Sequence, residues 1–313
     1  VNVVIGPGGT GASGNAGVRA GAPQAKPGPP KKGGAAKVGT LRIESTPPAA
    51  KVFIRTGGHN GYAEVGRTPI TLRDVEPGLL EYTLLRNDCR LYDGSLWIEP
   101  GKEHVEKVAM EPGRVFFVDG KNPRASDANP GTEAAPWQTP RRACEAIRPG
   151  DTVLFRAGRY VDPWKPGWSN KYPFTPDKSG TAEAPIVLRA YPGETVILGL
   201  GRRPNTAVRI YCRKYVVIDG FKIEGRVAFT SEKGHPCEGC VVKNCDVSVG
   251  YAPPGDPSLN WGIVNHAEGR VRIANNYVHD ILDSGNHGHN TCLLYTSDAA
   301  DEGLGVDLGG RRI

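Results

Sequence analysis

Residues 214–281 decide the fold, because one pattern occurs there three times: KYVVIDGFKIEG (214–225), CEGCVVKNCDVSVG (237–250) and GRVRIANNYVHDI (269–281). Each block contains a short apolar strand, a polar corner and a second apolar strand. With Asp219, Asn244 and Asn275 as the corners, the spacings are 25 and 31 residues. Repeated short strands at such intervals indicate a solenoid, in which each coil buries its apolar side chains against the next coil. The second interval leaves room for an inserted loop.

The segment before these repeats supplies a second pattern. RVFFVDG (114–120) predicts a strand, a short helix follows around residues 141–147, and GTAEAPIVLRA (180–190) leads into another strand. Together with the repeats, this order resembles the right-handed parallel β-helix family of pectate lyases and related polysaccharide lyases, including the chondroitinase B and alginate lyase group. The resemblance implies a single-stranded right-handed β-helix with an N-terminal cap helix. We expect its cap region over 113–160 and its coils over 161–291.

Residues 39–112 have a different pattern, with alternating strands separated by PP, GG and PG turns and no helical periodicity. Strands without helices in such a short segment predict a small β-sandwich. The order GTLRIESTPPAAKVFI, GRTPITLRDVEPG and LEYTLLRNDCRLYDG resembles the PEGA domain, a module common in bacterial cell-envelope proteins. The motif that gives this family its name occurs as VEPGL (75–79), so its last position differs. We interpret this module as a spacer or an adhesive element.

The two ends of the sequence have unusual compositions. Residues 1–38 are rich in Gly, Pro and Ala and contain no acidic residue, so we predict a flexible linker. Residues 292–313 resemble the translation of a sequencing adaptor, which would make them an artefact and would truncate the β-helix near Thr291. We expect no contribution to function from them.

Composition narrows the class of protein. The net charge of +6 is spread along the 313 residues, unlike the concentrated basic face of a nucleic-acid-binding protein. No apolar stretch reaches the 18 or so residues that a membrane-spanning helix needs. We therefore expect neither a nucleic-acid partner nor a membrane span, whereas an acidic polysaccharide remains a candidate partner.

Candidate site residues follow from the alternation of side chains in a strand. Counting back from the corners places the first strands of three coils at 207–213, 226–232 and 262–268. With Val208, Ile210 and Cys212 facing inward, the alternation predicts seven outward candidates: Arg209, Tyr211, Arg213, Thr230, Glu232, His266 and Glu268. The family resemblance implies that this first sheet lines the sugar cleft. The alternative interpretation is an ordinary solvated strand face.

The inserted loop YAPPGDPSLNW (251–261) adds two aromatic candidates, Tyr251 and Trp261. Aromatic rings offer an apolar surface to a sugar ring, so both are candidate substrate-binding residues. The competing interpretation is that the loop packs onto the coils.

The resemblance also implies a reaction, although no catalytic residue can be matched by position. Elimination from a uronic acid polymer requires neutralisation of the carboxylate, removal of the adjacent proton and stabilisation of the resulting charge. In the family, a basic residue and Ca²⁺ with carboxylate ligands supply these functions. Our first hypothesis is an exported bacterial polysaccharide lyase, or an inactive relative, that is extracellular, periplasmic or on the cell surface. The alternative is a non-catalytic surface adhesin or structural envelope protein.

Cysteine and asparagine residues in the repeats favour structural roles. Cys237, Cys240 and Cys245 have donor atoms that suit zinc, and Cys237 could pair with Cys240, but packing inside the coils explains them more simply. We therefore assign no metal site. Asn244, Asn275 and the adjacent Asn276 predict a corner ladder of hydrogen bonds to the backbone.

Overall fold

A computed structural model describes residues 2–5, 38–56, 60–161, 174–199, 206–250 and 262–281. These residues form strands β1 to β22 and one helix, so the described protein is mainly β, as predicted. No helix among them is both long and apolar enough to cross a membrane.

The first module is a sandwich of two sheets, with strand orders β5-β2-β8 and β4-β3-β6-β7. Its core contains Leu41, Ile43, Val52 and Leu84. Along β2, Leu41 and Ile43 alternate with exposed or half-buried neighbours. The strands are β2 (Gly39–Thr46), β3 (Lys51–Arg55), β4 (Tyr62–Arg67), β5 (Ile70–Val75), β6 (Gly78–Leu85), β7 (Tyr92–Ile98) and β8 (Glu103–Ala109).

The second module is a parallel β-helix built from three sheets. Sheet A contains β9 (Arg114–Val118), β10 (Asp151–Phe155), β12 (Ile186–Ala190), β15 (Val216–Asp219), β18 (Cys240–Lys243) and β21 (Val271–Ala274). Sheet B contains β11 (Gly158–Tyr160), β13 (Val196–Gly199), β16 (Lys222–Glu224), β19 (Asp246–Gly250) and β22 (Tyr277–Ile281). Sheet C contains β14 (Thr206–Tyr211), β17 (Arg226–Thr230) and β20 (Ile263–His266). Successive coils pair in parallel, and parallel crossovers of this kind are right-handed in nearly all proteins.

Two elements lie at the ends of the stack of coils. Helix α1 (Pro140–Ala146) is the predicted cap helix, and the Thr139 side chain caps it by accepting a hydrogen bond from the Arg142 amide. Strand β1 (Asn2–Ile5) pairs antiparallel with β21 at the edge of sheet A. These four residues belong to the segment that we predicted as a linker; their backbone pairs with an otherwise open sheet edge.

The interior of the coils is filled by stacked apolar side chains. In sheet A, one inward row contains Ile186, Val216, Cys240 and Val271 on four successive coils, all fully buried. Each residue covers the one before it, so burial depends on stacking rather than on any single strand.

The corners between sheets A and B lie at two of the three predicted positions, and the predicted hydrogen bonds to the backbone are made by Asn276, whereas Asn244 bonds to a side chain. The left-handed backbone conformation occurs at Gly220, Asn244 and Asn275, with φ values of 77°, 53° and 54°. Asp219 therefore precedes its corner, and its carboxylate accepts a hydrogen bond of 2.8 Å from the Asn244 side chain. Asn276 joins two coils, accepting from the Cys245 amide at 2.9 Å and donating to the Val242 carbonyl at 3.0 Å. Asn tolerates the left-handed backbone conformation well, which explains why Asn244 and Asn275 occupy the corners.

Three cysteines pack inside the coils, as the simpler interpretation predicted. Cys237, Cys240 and Cys245 are buried free thiols. Burial raises the pKa of Cys240 and of Cys245 to about 12, so both thiols stay protonated and unreactive.

The sandwich packs directly on the outer face of sheet A. Phe53 and Leu85 of the sandwich form one apolar cluster with Phe117, Leu154 and Tyr191 of the β-helix. The Asn60 side chain crosses the same interface and donates to the carbonyls of Tyr191 and Glu194 at 2.9 and 2.8 Å.

A charged cluster completes this contact. Arg189, Asp219 and Lys243 occupy one outward row of sheet A on three successive coils, with alternating charge. Asp93 of the sandwich lies 2.7 Å from Arg189 and 3.4 Å from Lys243. Arg189 also donates a hydrogen bond of 3.1 Å to the Thr83 hydroxyl. Both cations lie 3.4 Å from Asp219, so two positive and two negative charges balance. We refer to these four charged residues as the docking cluster.

Candidate functional site

The candidate site lies on the outer face of sheet C, where the three predicted first strands are found. Val208 and Ile210 face inward and are fully buried, as the alternation predicted. The parallel register places Arg209 beside Ala228 and Ala228 beside Val264. In the next outward row it places Tyr211 beside Thr230 and Thr230 beside His266. The predicted residues of this second row therefore lie side by side across three coils.

Contacts tie the first two coils of this face together. The Arg209 Nε donates to the Thr230 hydroxyl at 2.9 Å, and the Arg209 guanidinium lies 4.6 Å from the centre of the Tyr211 ring. The Tyr211 hydroxyl in turn hydrogen-bonds to the Glu232 carboxylate. This bond raises the pKa of Tyr211 to about 12, so its hydroxyl keeps its proton at neutral pH.

Two predicted orientations are wrong, because β14 ends earlier than we expected. Cys212 has a φ of 51°, which breaks the alternation, and its side chain is half-buried rather than enclosed in the coil. Arg213 consequently lies in the following turn, where its Nε donates to the Pro176 carbonyl at 3.0 Å. The Arg213 guanidinium thus supports a neighbouring loop instead of the sheet C face.

The two remaining acidic candidates also lie beyond the strands. Glu232 follows β17 but reaches back to Tyr211, so it borders the site. Glu268 follows β20 and accepts a hydrogen bond from the Gly234 amide at 3.1 Å, which stabilises a turn. Glu268 is therefore a turn residue and not a member of the outward rows.

Sequence reasoning missed Arg226, the first residue of β17. Its guanidinium donates to the Thr206 hydroxyl from Nε at 3.0 Å and from Nη2 at 2.7 Å. It has the same parity as Ala228 and Thr230, so the alternation already carried the signal. Counting one more outward-facing residue along β17, toward the start of the strand, would have identified Arg226.

The face combines positive charge with a neutral imidazole over a small apolar floor. Arg209 and Arg226 come from adjacent coils, and the apolar floor consists of Ala228 and Val264, which continue the outward row of Arg209. Partial desolvation, together with the positive charge of Arg226, lowers the pKa of His266. The imidazole is therefore mainly uncharged at neutral pH and can accept a proton.

The two remaining predictions concern the aromatic residues of the inserted loop and calcium. Tyr251 and Trp261 lie outside the described residues. For calcium, no three His, Cys, Asp or Glu side chains converge as a metal site requires within the described part of the chain. These residues do not form a calcium site, and no chemical step here depends on one.

Comparison with known protein sequences supports a pectate lyase-like β-helix. No family model matches the chain. An 85-residue stretch is 39% identical to pectate lyase PEL9 of Emericella nidulans, covering 27% of this chain and 19% of that protein. The chain therefore spans about a fifth of the length of this curated relative.

Solved structures give weaker likenesses. Pectate lyase Pel9A has a TM-score of 0.37 at 19% identity, covering 52% of this chain and 46% of Pel9A. A GH136 lacto-N-biosidase from Eubacterium ramulus has a TM-score of 0.36 at 17% identity, with 54% and 42% covered. A rhamnogalacturonan lyase has a TM-score of 0.34 at 20% identity, with 53% and 50% covered. The chain thus covers half or less of each of these three solved chains.

Proposed function

We propose that the protein binds an acidic polysaccharide on the outer face of sheet C and acts on it as a lyase. The observation that carries this proposal is the pair Arg209 and Arg226 on adjacent coils of one face, with Tyr211 and His266 beside them. Guanidinium groups bind carboxylates strongly, and an aromatic ring offers an apolar surface to a sugar. The sequence likeness to a pectate lyase supports the same substrate class.

The groups on this face supply the parts of an elimination. A guanidinium neutralises the uronate carboxylate, which makes the proton on the adjacent carbon easier to remove. His266 accepts that proton, a carbon–carbon double bond forms, and the glycosidic bond to the leaving oxygen breaks. The leaving oxygen takes a proton from water, and the imidazolium of His266 returns its proton to solvent, which restores the neutral imidazole. The Tyr211 hydroxyl keeps its proton and is held on this face by Glu232.

Location and architecture belong to the same proposal. A PEGA-like sandwich joined to a polysaccharide-binding β-helix suits an exported bacterial protein, extracellular, periplasmic or on the cell surface. The domain boundaries that we propose are 39–112 for the sandwich and 113–291 for the cap region and coils.

The experiment measures binding and cleavage separately. Polygalacturonate, alginate and chondroitin are offered to the full chain, with calorimetry for binding and ultraviolet absorbance for unsaturated products. We expect binding and product formation with at least one of them. Binding without unsaturated products would favour the adhesin alternative, and binding to none would overturn the proposal.

A further inference from the structure

One face of the sandwich has a docked end and an open end. Thr83 and Leu85 of β6 are buried where the sandwich meets the β-helix. Side chains of a strand alternate, so Leu79 lies on the same face, but it is 65% exposed. Trp97 lies opposite Leu79 on β7 and is also 65% exposed. The open end therefore presents an indole ring and a leucine to solvent.

The surroundings of this pair are polar but carry no excess of positive charge. The neighbouring cross-strand pair on the same face is Glu81 and Ser95. Glu81 lies 3.4 Å from Arg55, and Glu99, just beyond β7, is paired with Lys102. Because each of these carboxylates is paired with a cation, the described residues around the indole offer no excess charge of either sign to a ligand. The hydroxyl groups of a neutral ligand find both donors and acceptors here.

The size of the apolar patch distinguishes between classes of ligand. A tryptophan buries about 150–250 Å² when fully covered, so two side chains at 65% exposure offer roughly 250 Å² together. A stable protein interface buries about 800 Å² on each partner. The patch is too small for a second copy of the chain, but it is comparable to one face of a sugar ring.

We propose that Leu79 and Trp97 form a binding platform for a neutral pyranose ring, separate from the cationic face of sheet C. The apolar face of the sugar stacks on the indole, and Leu79 widens the contact. Ser95 and Glu81 exchange hydrogen bonds with the ring hydroxyls. The sandwich is then a carbohydrate-binding module for a neutral glycan, docked on a β-helix that binds an acidic one.

The test uses cellohexaose and mannohexaose, which are neutral β-linked chains with flat apolar faces. Calorimetry on the full chain should show binding of at least one of them, and Trp97→Ala should weaken it about tenfold. Trp97→Phe keeps an aromatic ring, so its affinity for the hexaose should lie between those of the wild type and Trp97→Ala. Val105→Ala, which removes an exposed apolar side chain from the other sheet of the sandwich, is the matched control and should have no effect.

The double variant Arg209→Ala/Arg226→Ala separates this inference from the proposed function. It should lose polygalacturonate binding and keep hexaose binding. The inference is overturned if the wild-type chain binds neither hexaose at millimolar concentration, or if Trp97→Ala binds as well as wild type. It is also overturned if sedimentation velocity shows self-association that Trp97→Ala abolishes, because Trp97 would then lie in an interface between copies.

Discussion

The outer faces of sheets A and C have the same alternating geometry but use their charges differently. On sheet A, Arg189 and Lys243 are paired with Asp219 and with Asp93 of the sandwich, and Arg189 is only 3% exposed. On sheet C, Arg209 and Arg226 donate hydrogen bonds to the hydroxyls of Thr230 and Thr206. The charges on sheet A hold a domain, whereas we propose that the guanidinium groups on sheet C bind a polyanion.

The largest expected effect concerns sheet A. Arg189→Met leaves Asp93 and Asp219 with Lys243 alone in a covered interface, so the free energy of unfolding should fall by about 3–5 kcal/mol. Urea unfolding measures it. Arg159→Met is the matched control, because Arg159 also pairs with a carboxylate of the β-helix, Glu224 two coils away, but is exposed. The loss of free energy in this control should stay below about 1 kcal/mol. Equal losses would contradict a special role for the docking cluster.

On sheet C, we expect a substitution to reduce ligand affinity more than stability. Arg209→Ala/Arg226→Ala should reduce polygalacturonate affinity about 10- to 100-fold, because each guanidinium contributes a charge-assisted hydrogen bond. Its melting temperature should fall less than that of Arg189→Met, since both side chains are half-buried whereas Arg189 is buried. Arg270→Ala removes a well-exposed arginine from a turn of the β-helix and should leave affinity unchanged. An equal drop in that control would indicate a non-specific effect of net charge.

Acid should weaken the docking cluster. Arg189 and Lys243 oppose the desolvation of Asp93 and hold its pKa below the usual value, so Asp93 contributes stability above about pH 4, its unfolded pKa. That contribution is lost as the pH falls through the folded pKa. The difference in unfolding free energy between wild type and Asp93→Asn should therefore shrink below about pH 4. A difference that stays constant down to acid pH would show that Asp93 is not charged in this cluster.

The smallest effect concerns His266. Its pKa is lowered, so protonation adds positive charge to sheet C only below the usual value of about 6.5. Polygalacturonate binding by the wild-type chain should strengthen as the pH falls through that range, beyond any change in the ligand itself. His266→Gln should lose this additional strengthening. Identical pH profiles for the two proteins would place His266 away from the bound polymer.

The strands and corners of the β-helix were predictable because their signals are local. Counting back from the corners located the three strands of sheet C, and Asn244 and Asn275 marked two corners with their tolerance for positive φ. The fate of Arg213 was not predictable, since Cys212 adopts a positive φ although its residue type does not favour one. The docking cluster was missed for another reason: Arg189 and Asp93 are 96 residues apart, and the sequence patterns that contain them do not indicate that the two side chains meet. We interpreted this module as a spacer or an adhesive element, and its packing against sheet A could not be read from either interpretation.

The central claim is that sheet C binds the polymer while sheet A is occupied by the sandwich. Hydrogen exchange of the full chain, with and without polygalacturonate, tests it most directly. We predict added protection in β14, β17 and β20 and none in β12, β15 and β18. Protection confined to sheet A, or none on either sheet at a saturating concentration, would contradict the account.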